Sequence, residues 1–376
     1  MRYSPIVLAL AMICIAPPLT PAVAEDDVTA REAFGIAKEL GTAEAWEAYL
    51  KRFPTGFHAD VARGYLKKFG REVEAKSPET AHPESAGALG PNADLKGASL
   101  VPKDSFWRED ISGAPVDRSS ARILAKVGDK PLHPDFGAMW EGAPIGIPYI
   151  VVDGAQKRAP VSFTYADESD PGPYPIPSDA PVEGGPKGDG DRHVIAFDRE
   201  NSMLYELFNA FPQRDGSWKA DSGAIWNLKK SDQSRPAGWT SADAAGLAIM
   251  PGLIRYDEVV DAGAVEHALR FTLSKTRRAY VPPASHWASD ATDAALPPMG
   301  MRVRLKANYD VSKFHPQVQV ILKAMKTYGM VLADNGSDNF ISGSPDQRWD
   351  PDVLRQLKRV STKDLEVVEM KNVVTE

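Results

Sequence analysis

Proline and glycine interrupt this chain too often for it to be built from long helices. With 31 prolines and 29 glycines among 376 residues, most stretches between interruptions allow only a few helical turns. Proline removes a backbone donor, and glycine weakens a helix interior. Short strands joined by turns suit that punctuation better. From about residue 101 onward the strand signals follow one another. "IGIPYIVVDG" reads as a buried run, "APVSFTYAD" alternates, and "HVIAFDRENSMLYELFNAFP" reads as a hairpin turning at Arg199-Glu200-Asn201. "GSWKADSGAIWNL", "AVEHALRFTL", "MGMRVRLKANYD", "MVLADNG" and "LEVVEM" add further strands. One longer helix, "HPQVQVILKAMKTYG", and one short one, "DPDVLRQLKRV", stand among them. The expected fold is mainly β: an antiparallel β-sandwich or jelly-roll-like domain with helical insertions.

The start of the chain sets the expected compartment. Arg2, an apolar run from Ile6 to Ala16 and the small-residue end Ala22-Val23-Ala24 form the layout of a secretory signal peptide over residues 1–24. The expected location is periplasmic or secreted, with no membrane span after cleavage. The single cysteine, Cys14, lies inside that segment, so the processed chain offers no disulfide, thiolate nucleophile or cysteine metal ligand. Residues 25–70 have helical periodicity, with Gly41 as a C-terminal cap, Thr42 as an N-terminal cap and Pro54 as a stop. Trp46 and Tyr49 fall at core spacing on this segment. Residues 71–100, rich in Pro, Ala, Gly and Ser, read as a disordered linker. The main domain is then 101–376.

Charge and motif content exclude several function classes. A net charge of -7 and the lack of a Lys/Arg block argue against nucleic acid as a partner. No GxSxG, HExxH, GxxxxGK[ST] or GxGxxG pattern occurs. The seven histidines stand at no zinc-site spacing, and no motif calls for a cofactor. Paired carboxylates remain, at about 5–5.5 Å for retaining or about 6.5–9.5 Å for inverting glycoside hydrolysis. Glu206 lies among apolar and aromatic residues, where burial would raise its pKa. Asp243 follows Trp239, an aromatic surface of the kind sugar rings favour. His267 and His286 complete the catalytic candidates. By strand parity His267 shares the apolar row with Val265, Leu269 and Phe271, the position of a hydrogen-bonded core histidine. The opposite rows carry Arg270, Arg302 and Arg304, which would form either a cationic patch for an anionic glycan or a solvated outer face.

Two resemblances add to this reading. "AWEAYLKRFPTGFHADVARGYL" resembles the tetratricopeptide-like repeats of bacterial envelope proteins, which implies a surface for a protein partner. "MPGLIRYDEV", "HALRFT", "PPMGMRVRLKANYD" and "KTYGMVLADNG" together look like a group of secreted bacterial proteins. That resemblance implies an exported domain over about residues 185 to 370 and carries no catalytic residue with it. The function expected is an exported carbohydrate-active protein, a polysaccharide hydrolase or lyase working in a β-sandwich cleft. The alternative is a non-catalytic envelope protein that holds a glycan or a protein.

Overall fold

A computed structural model describes residues 33–53, 57–71, 88–93, 95, 97–140 and 143–375. The signal-peptide region and most of the expected linker lie outside the described residues. The chain forms two compact units that divide after His82.

In the first unit, residues 33–40 are helical and end at Gly41, whose φ of 61° is the left-handed conformation of a helix cap. Helix α1 (Ala43–Arg52) starts at Thr42, whose Oγ1 accepts the N–H of Ala45 at 3.2 Å. Helix α2 (Phe57–Lys68) packs on it. Trp46 and Tyr49 face this packing, 1% and 4% exposed, and the Trp46 ring stacks on Tyr65 at 4.6 Å between centroids. Both are core side chains, as their spacing implies.

The second unit mixes sheet and helix. A five-stranded sheet runs β1 (Ala88–Pro91), β5 (Tyr149–Val152), β7 (Val194–Asp198), β8 (Met203–Phe208), β11 (Ser222–Asn227). A six-stranded sheet runs β16 (Leu365–Val367), β13 (Arg302–Leu305), β14 (Met330–Asn335), β12 (Leu269–Leu273), β15 (Phe340–Ser342), β2 (His133–Asp135). A three-stranded sheet, β6 (Val161–Phe163), β10 (Trp218–Ala220), β9 (Phe211–Pro212), and a two-stranded ribbon of β3 (Met139–Trp140) and β4 (Ala143–Pro144) complete it. Among the described residues of this unit, three segments are α-helical: α3 (Ser120–Val127), α4 (Pro316–Thr327) and α5 (Pro351–Leu354). The hairpin expected at Arg199-Glu200-Asn201 is β7–β8, with the Asn201 N–H donating to Asp198 Oδ1 at 3.0 Å.

Pairing is not purely antiparallel as the sequence suggests. β5 pairs parallel with β7, and β12 with β14. Parallel neighbours need long crossovers. The Pro/Gly-rich stretch after β5 supplies one, and the segment holding β13 and α4 supplies the other. The first crossover packs against the sheet. Tyr174, Ile176, Ala180 and Val182 are buried against Ile150, Val152, Val194, Ala196 and Leu207. The other face of the same sheet, with Tyr149, Val151, Ile195, Phe197, Leu204 and Trp226, packs on Leu95, Leu100 and the 248–253 segment. Alternate residues on these strands therefore enter two different apolar layers. Strand β1 and the buried Leu95 and Leu100 also show that residues 88–100, read as linker, belong to this unit. Composition hides this because two leucines among Gly, Ala and Asn leave no periodic signal.

The six-stranded sheet is likewise covered on both sides. All five residues of β12 and all four of β13 are buried. Leu269, Phe271, Val303 and Leu305 enter the core with Val318, Ile321, Leu322 and Met325 of α4. The arginine face meets other segments instead of solvent, which corrects the cationic-patch expectation. Arg302 donates to Tyr328 O at 2.9 Å and to Glu109 Oε2 at 3.0 Å. Arg304 donates to Glu366 Oε1 at 2.7 Å and to the carbonyl of Ile111. Both are 7% exposed, and burial lowers the Arg302 pKa to about 10. Among the described residues, no helix is long and apolar enough to cross a membrane.

Candidate active site

One face of the six-stranded sheet carries a polar row across four adjacent strands. Asp135 of β2 is in register with Ser342 of β15. Ser342 Oγ accepts from Arg270 Nη1 of β12 at 2.6 Å, and Arg270 Nη2 reaches Asp334 Oδ2 of β14 at 3.0 Å. A β-bulge brings in the last member. Phe271 pairs with Leu332 but Thr272 pairs with Asp334, so Ala333 is the extra residue. Strict alternation would put Ala333 on the arginine face; the bulge puts Asp334 there. The Ala333 carbonyl accepts the N–H of Ala245 at 2.9 Å, which anchors the segment above.

That segment, residues 239–246, supplies Asp243. Its carboxylate takes Arg270 Nε at 2.9 Å and Nη2 at 2.8 Å, a two-point clamp. The turn closes through Gly246, at φ 72°, where an added Cβ would lie 2.1 Å from Ser285 Oγ and 2.7 Å from Trp239 O. Only glycine satisfies both demands. Ser241 Oγ accepts the Asp243 N–H at 2.9 Å and donates to Leu247 O at 2.6 Å. His286 donates from Nδ1 to Ala244 O at 2.8 Å, since a carbonyl only accepts. Its Nε2 is therefore left as an acceptor.

The five-stranded sheet contributes a second pair. His193 stands just ahead of β7, on the parity of Ile195 and Phe197. Its Nε2 bonds Ala242 O at 3.0 Å and its Nδ1 meets Glu183 Oε2 at 2.6 Å. Burial opposes charge on His193, but Glu183 overrides it and lifts the pKa to about 9. Burial likewise works against Glu183, yet His193 holds it below the usual carboxylate range. Two carboxyls, Asp334 and Asp135, are pushed the other way. Burial, aided by Asp243 and opposed by Arg270, raises Asp334 to about 7. Burial and Glu183 raise Asp135 to about 6.

A pocket of about 370 Å³ opens beside these groups, with Asp334, Asp243, Asp191, Glu168, His286 and Tyr165 among its walls. Of the residues expected from sequence, Asp243 and His286 come together here. Glu206 does not. It is fully buried on β8, and its carboxylate accepts from Trp226 Nε1 at 2.9 Å and from the N–H groups of Ile249 and Met250, each at 2.9 Å. Burial raises its pKa to about 7 against those donors, as its apolar setting implies, but it pins a turn and is not among the walls of this pocket. His267 is a core histidine, 6% exposed, bonded to Ala268 O at 2.9 Å and Glu258 at 3.2 Å. Trp239 is half-buried beneath the Arg235 guanidinium, 5.4 Å from its ring centroid, and is not a pocket wall. Arg270 is 4% exposed with all three guanidinium nitrogens hydrogen-bonded, so it organises carboxylates and presents no free charge to a ligand.

Asp135, Glu183, Asp191, His193 and Asp334 escaped the sequence reading. One signal existed for two of them. Asp191-Arg-His193 runs straight into the apolar Val194–Phe197, so both residues share the face of the strand they precede. Comparison with family models, with curated proteins and with solved structures finds no match.

Proposed function

We propose that the protein is an exported polysaccharide hydrolase whose chemistry takes place in the pocket walled by Asp334 and His286. The observation that carries this reading is a carboxyl raised to about 7 on the wall of a cleft that also holds a histidine with an unoccupied acceptor nitrogen. A carboxyl with that proton affinity can give a proton to a leaving oxygen at neutral pH, while an imidazole Nε2 can take one from water. Water then adds to the anomeric carbon as the bond to the leaving oxygen breaks. Asp334 protonates that oxygen, and His286 keeps the proton that water sheds. Glu168, held by the Thr240 N–H at 3.2 Å, offers an acceptor for sugar hydroxyls, and the half-exposed Tyr165 ring offers a flat apolar surface.

Hydrolysis fits better than elimination. A lyase acting on uronic acids needs a cation for the sugar carboxylate, and Arg270, Arg302 and Arg304 are all buried and paired. The acidic walls suit a neutral or amino-bearing sugar. Export belongs to the same proposal and rests on Arg2, the apolar run and Ala22-Val23-Ala24. The test is a polysaccharide-degradation screen with the processed protein, its Asp334→Asn variant and its His286→Ala variant. Release of reducing ends by the wild type, and its loss in both variants, supports the reading. Glycan binding with no turnover would replace it with the non-catalytic alternative.

A further inference from the structure

Glu183, Asp191 and His193 lie outside the chemistry assigned above, yet they bring one ligand atom each within 4.8 Å of one another. Their placement is built into the backbone. The Glu183 N–H donates to His193 O at 3.0 Å and the His193 N–H to Glu183 Oε2 at 3.3 Å, which closes the neck of the 184–192 loop. Gly184 and Gly185, at φ 72° and 80°, turn the chain there. Inside the loop Arg192 donates to Gly188 O at 2.6 Å and Pro186 O at 3.3 Å. The Asp191 carbonyl is held by the Asn209 N–H at 2.8 Å.

A second observation concerns the imidazole. His193 Nε2 faces the Ala242 carbonyl at 3.0 Å, so Nε2 carries the hydrogen and Nδ1 is the nitrogen turned to Glu183, at 2.6 Å from its Oε2. That is the arrangement by which ligating histidines are usually held, one nitrogen on a backbone carbonyl and the other toward the metal. The carboxyl of Asp135, which adds negative potential toward Glu183, makes no hydrogen bond with any described residue.

We propose that Glu183, Asp191 and His193 form a site for one divalent first-row transition cation, of the Mn²⁺ or Zn²⁺ kind. One imidazole with two carboxylates matches the mixed nitrogen and oxygen preference of those ions, whereas Mg²⁺ and Ca²⁺ favour oxygen alone. Nδ1 cannot hold a proton and a metal together, so the proton it shares with Glu183 leaves to solvent as the ion binds. Asp191 and Ala242 also line the pocket, so the ion would lie at its edge.

The experiment uses the full chain, freed of metal with EDTA, and no substrate, so its result is independent of the hydrolase reading. Mn²⁺ is titrated in and the free-ion signal followed by electron paramagnetic resonance. Zn²⁺, Mg²⁺ and Ca²⁺ are then added as competitors. One Mn²⁺ should bind per chain, and Zn²⁺ should displace it at lower concentration than Mg²⁺ or Ca²⁺. Asp191→Asn should weaken binding by at least about tenfold. Asp191 is exposed, so this variant should melt with the metal-free wild type. The proposal is overturned if the wild type binds Mn²⁺ no better than Asp191→Asn does, which leaves Glu183 and His193 as an ion pair only. Equal competition by Mg²⁺ and Zn²⁺ also overturns it, because it removes the imidazole from the ligand set.

Discussion

Replacing Arg270 with methionine tests the organisation of this site most directly. The side chain is 4% exposed and makes four hydrogen bonds: two to Asp243, one to Asp334 and one to Ser342. Methionine keeps much of the volume but removes every donor. Asp243, with no exposed surface, is then left without its counter-charge, and breaking a buried pair from one side costs about 3–5 kcal/mol. Ser342 also loses a partner, at about 1 kcal/mol. Against a typical total of about 5–15 kcal/mol, the variant loses a third or more of the stability. In a unit of this size that lowers the melting temperature by about 10 °C. Urea unfolding of the fragment beginning at Pro83 would measure it. The double variant Arg270→Met/Asp243→Asn should be more stable than the single one, since it removes the stranded charge, and the cycle should give a coupling of about 2 kcal/mol or more. A solvated arginine would behave otherwise, because exposed pairs contribute about 0–1 kcal/mol. Should Arg270→Met unfold within about 0.5 kcal/mol of the wild type, the buried clamp and the site built on it are wrong.

Other outcomes follow from the same geometry. Asp334→Asn should cut hydrolysis by about 10²–10⁴-fold while the protein still folds. In the wild type, activity should fall as pH rises through about 7, where the donor loses its proton. A folded pKa above the unfolded one means that the native state holds the extra proton, so the Asp334 contribution to stability also declines as pH rises from about 4 to 7, by at most about 1.4 kcal/mol per pH unit. Urea midpoints of wild type and Asp334→Asn across that range would show it. Glu206→Gln should cost about 1–3 kcal/mol, because one accepting oxygen becomes an NH2 that faces N–H donors, but leave turnover per folded molecule unchanged; a selective loss of turnover would return Glu206 to the catalytic set. His267→Ala should destabilise the fold by emptying a core position and removing a hydrogen-bond partner of Glu258, and a normally melting but inactive variant would contradict the core assignment. The fragment from Pro83 should unfold cooperatively at the temperature of the corresponding transition in the full chain, since the second unit has its own core.

Local structure was legible wherever it is written in neighbouring residues. The Thr42 cap, the Gly41 end, the β7–β8 turn and helix α4 follow from a few adjacent side chains each. The apolar row of Val265, Leu269 and Phe271 enters the core as its alternation implies. What failed was the inference from a charged row to solvent. Parity separates two faces and is silent on what covers the second one. Here that cover comes from Glu109, Ile111 and Ser112 for Arg302 and Arg304, and from Asp243 for Arg270, none of which is adjacent in sequence. The parallel pairs were hidden for a related reason, because a crossover and a long surface loop have the same composition until something is seen to pack under them. Asp334 was least legible of all. Its position depends on a bulge at Ala333, and reading "MVLADN" by strict alternation turns the acid away from Arg270.

The charge count within the cluster explains why it retains protons. Among the described residues, Asp135, Glu183, Asp243 and Asp334 lie with two cations, Arg270 and His193, so these four carboxyls share two positive charges, with the exposed Asp191 adding further negative charge beside them. The cations are distributed unevenly. Arg270 gives Asp243 a two-point clamp and Asp334 a single bond, and His193 gives its contact to Glu183. The two acids with the weaker share, Asp334 and Asp135, are the two whose pKa rises toward neutrality. In a buried cluster a charge deficit must be met by protons, by a bound cation or by a cationic ligand, since an uncompensated carboxylate is too costly to keep. The same imbalance therefore supplies the proton that Asp334 would give to a leaving oxygen and the negative potential that a divalent ion at Glu183, Asp191 and His193 would satisfy.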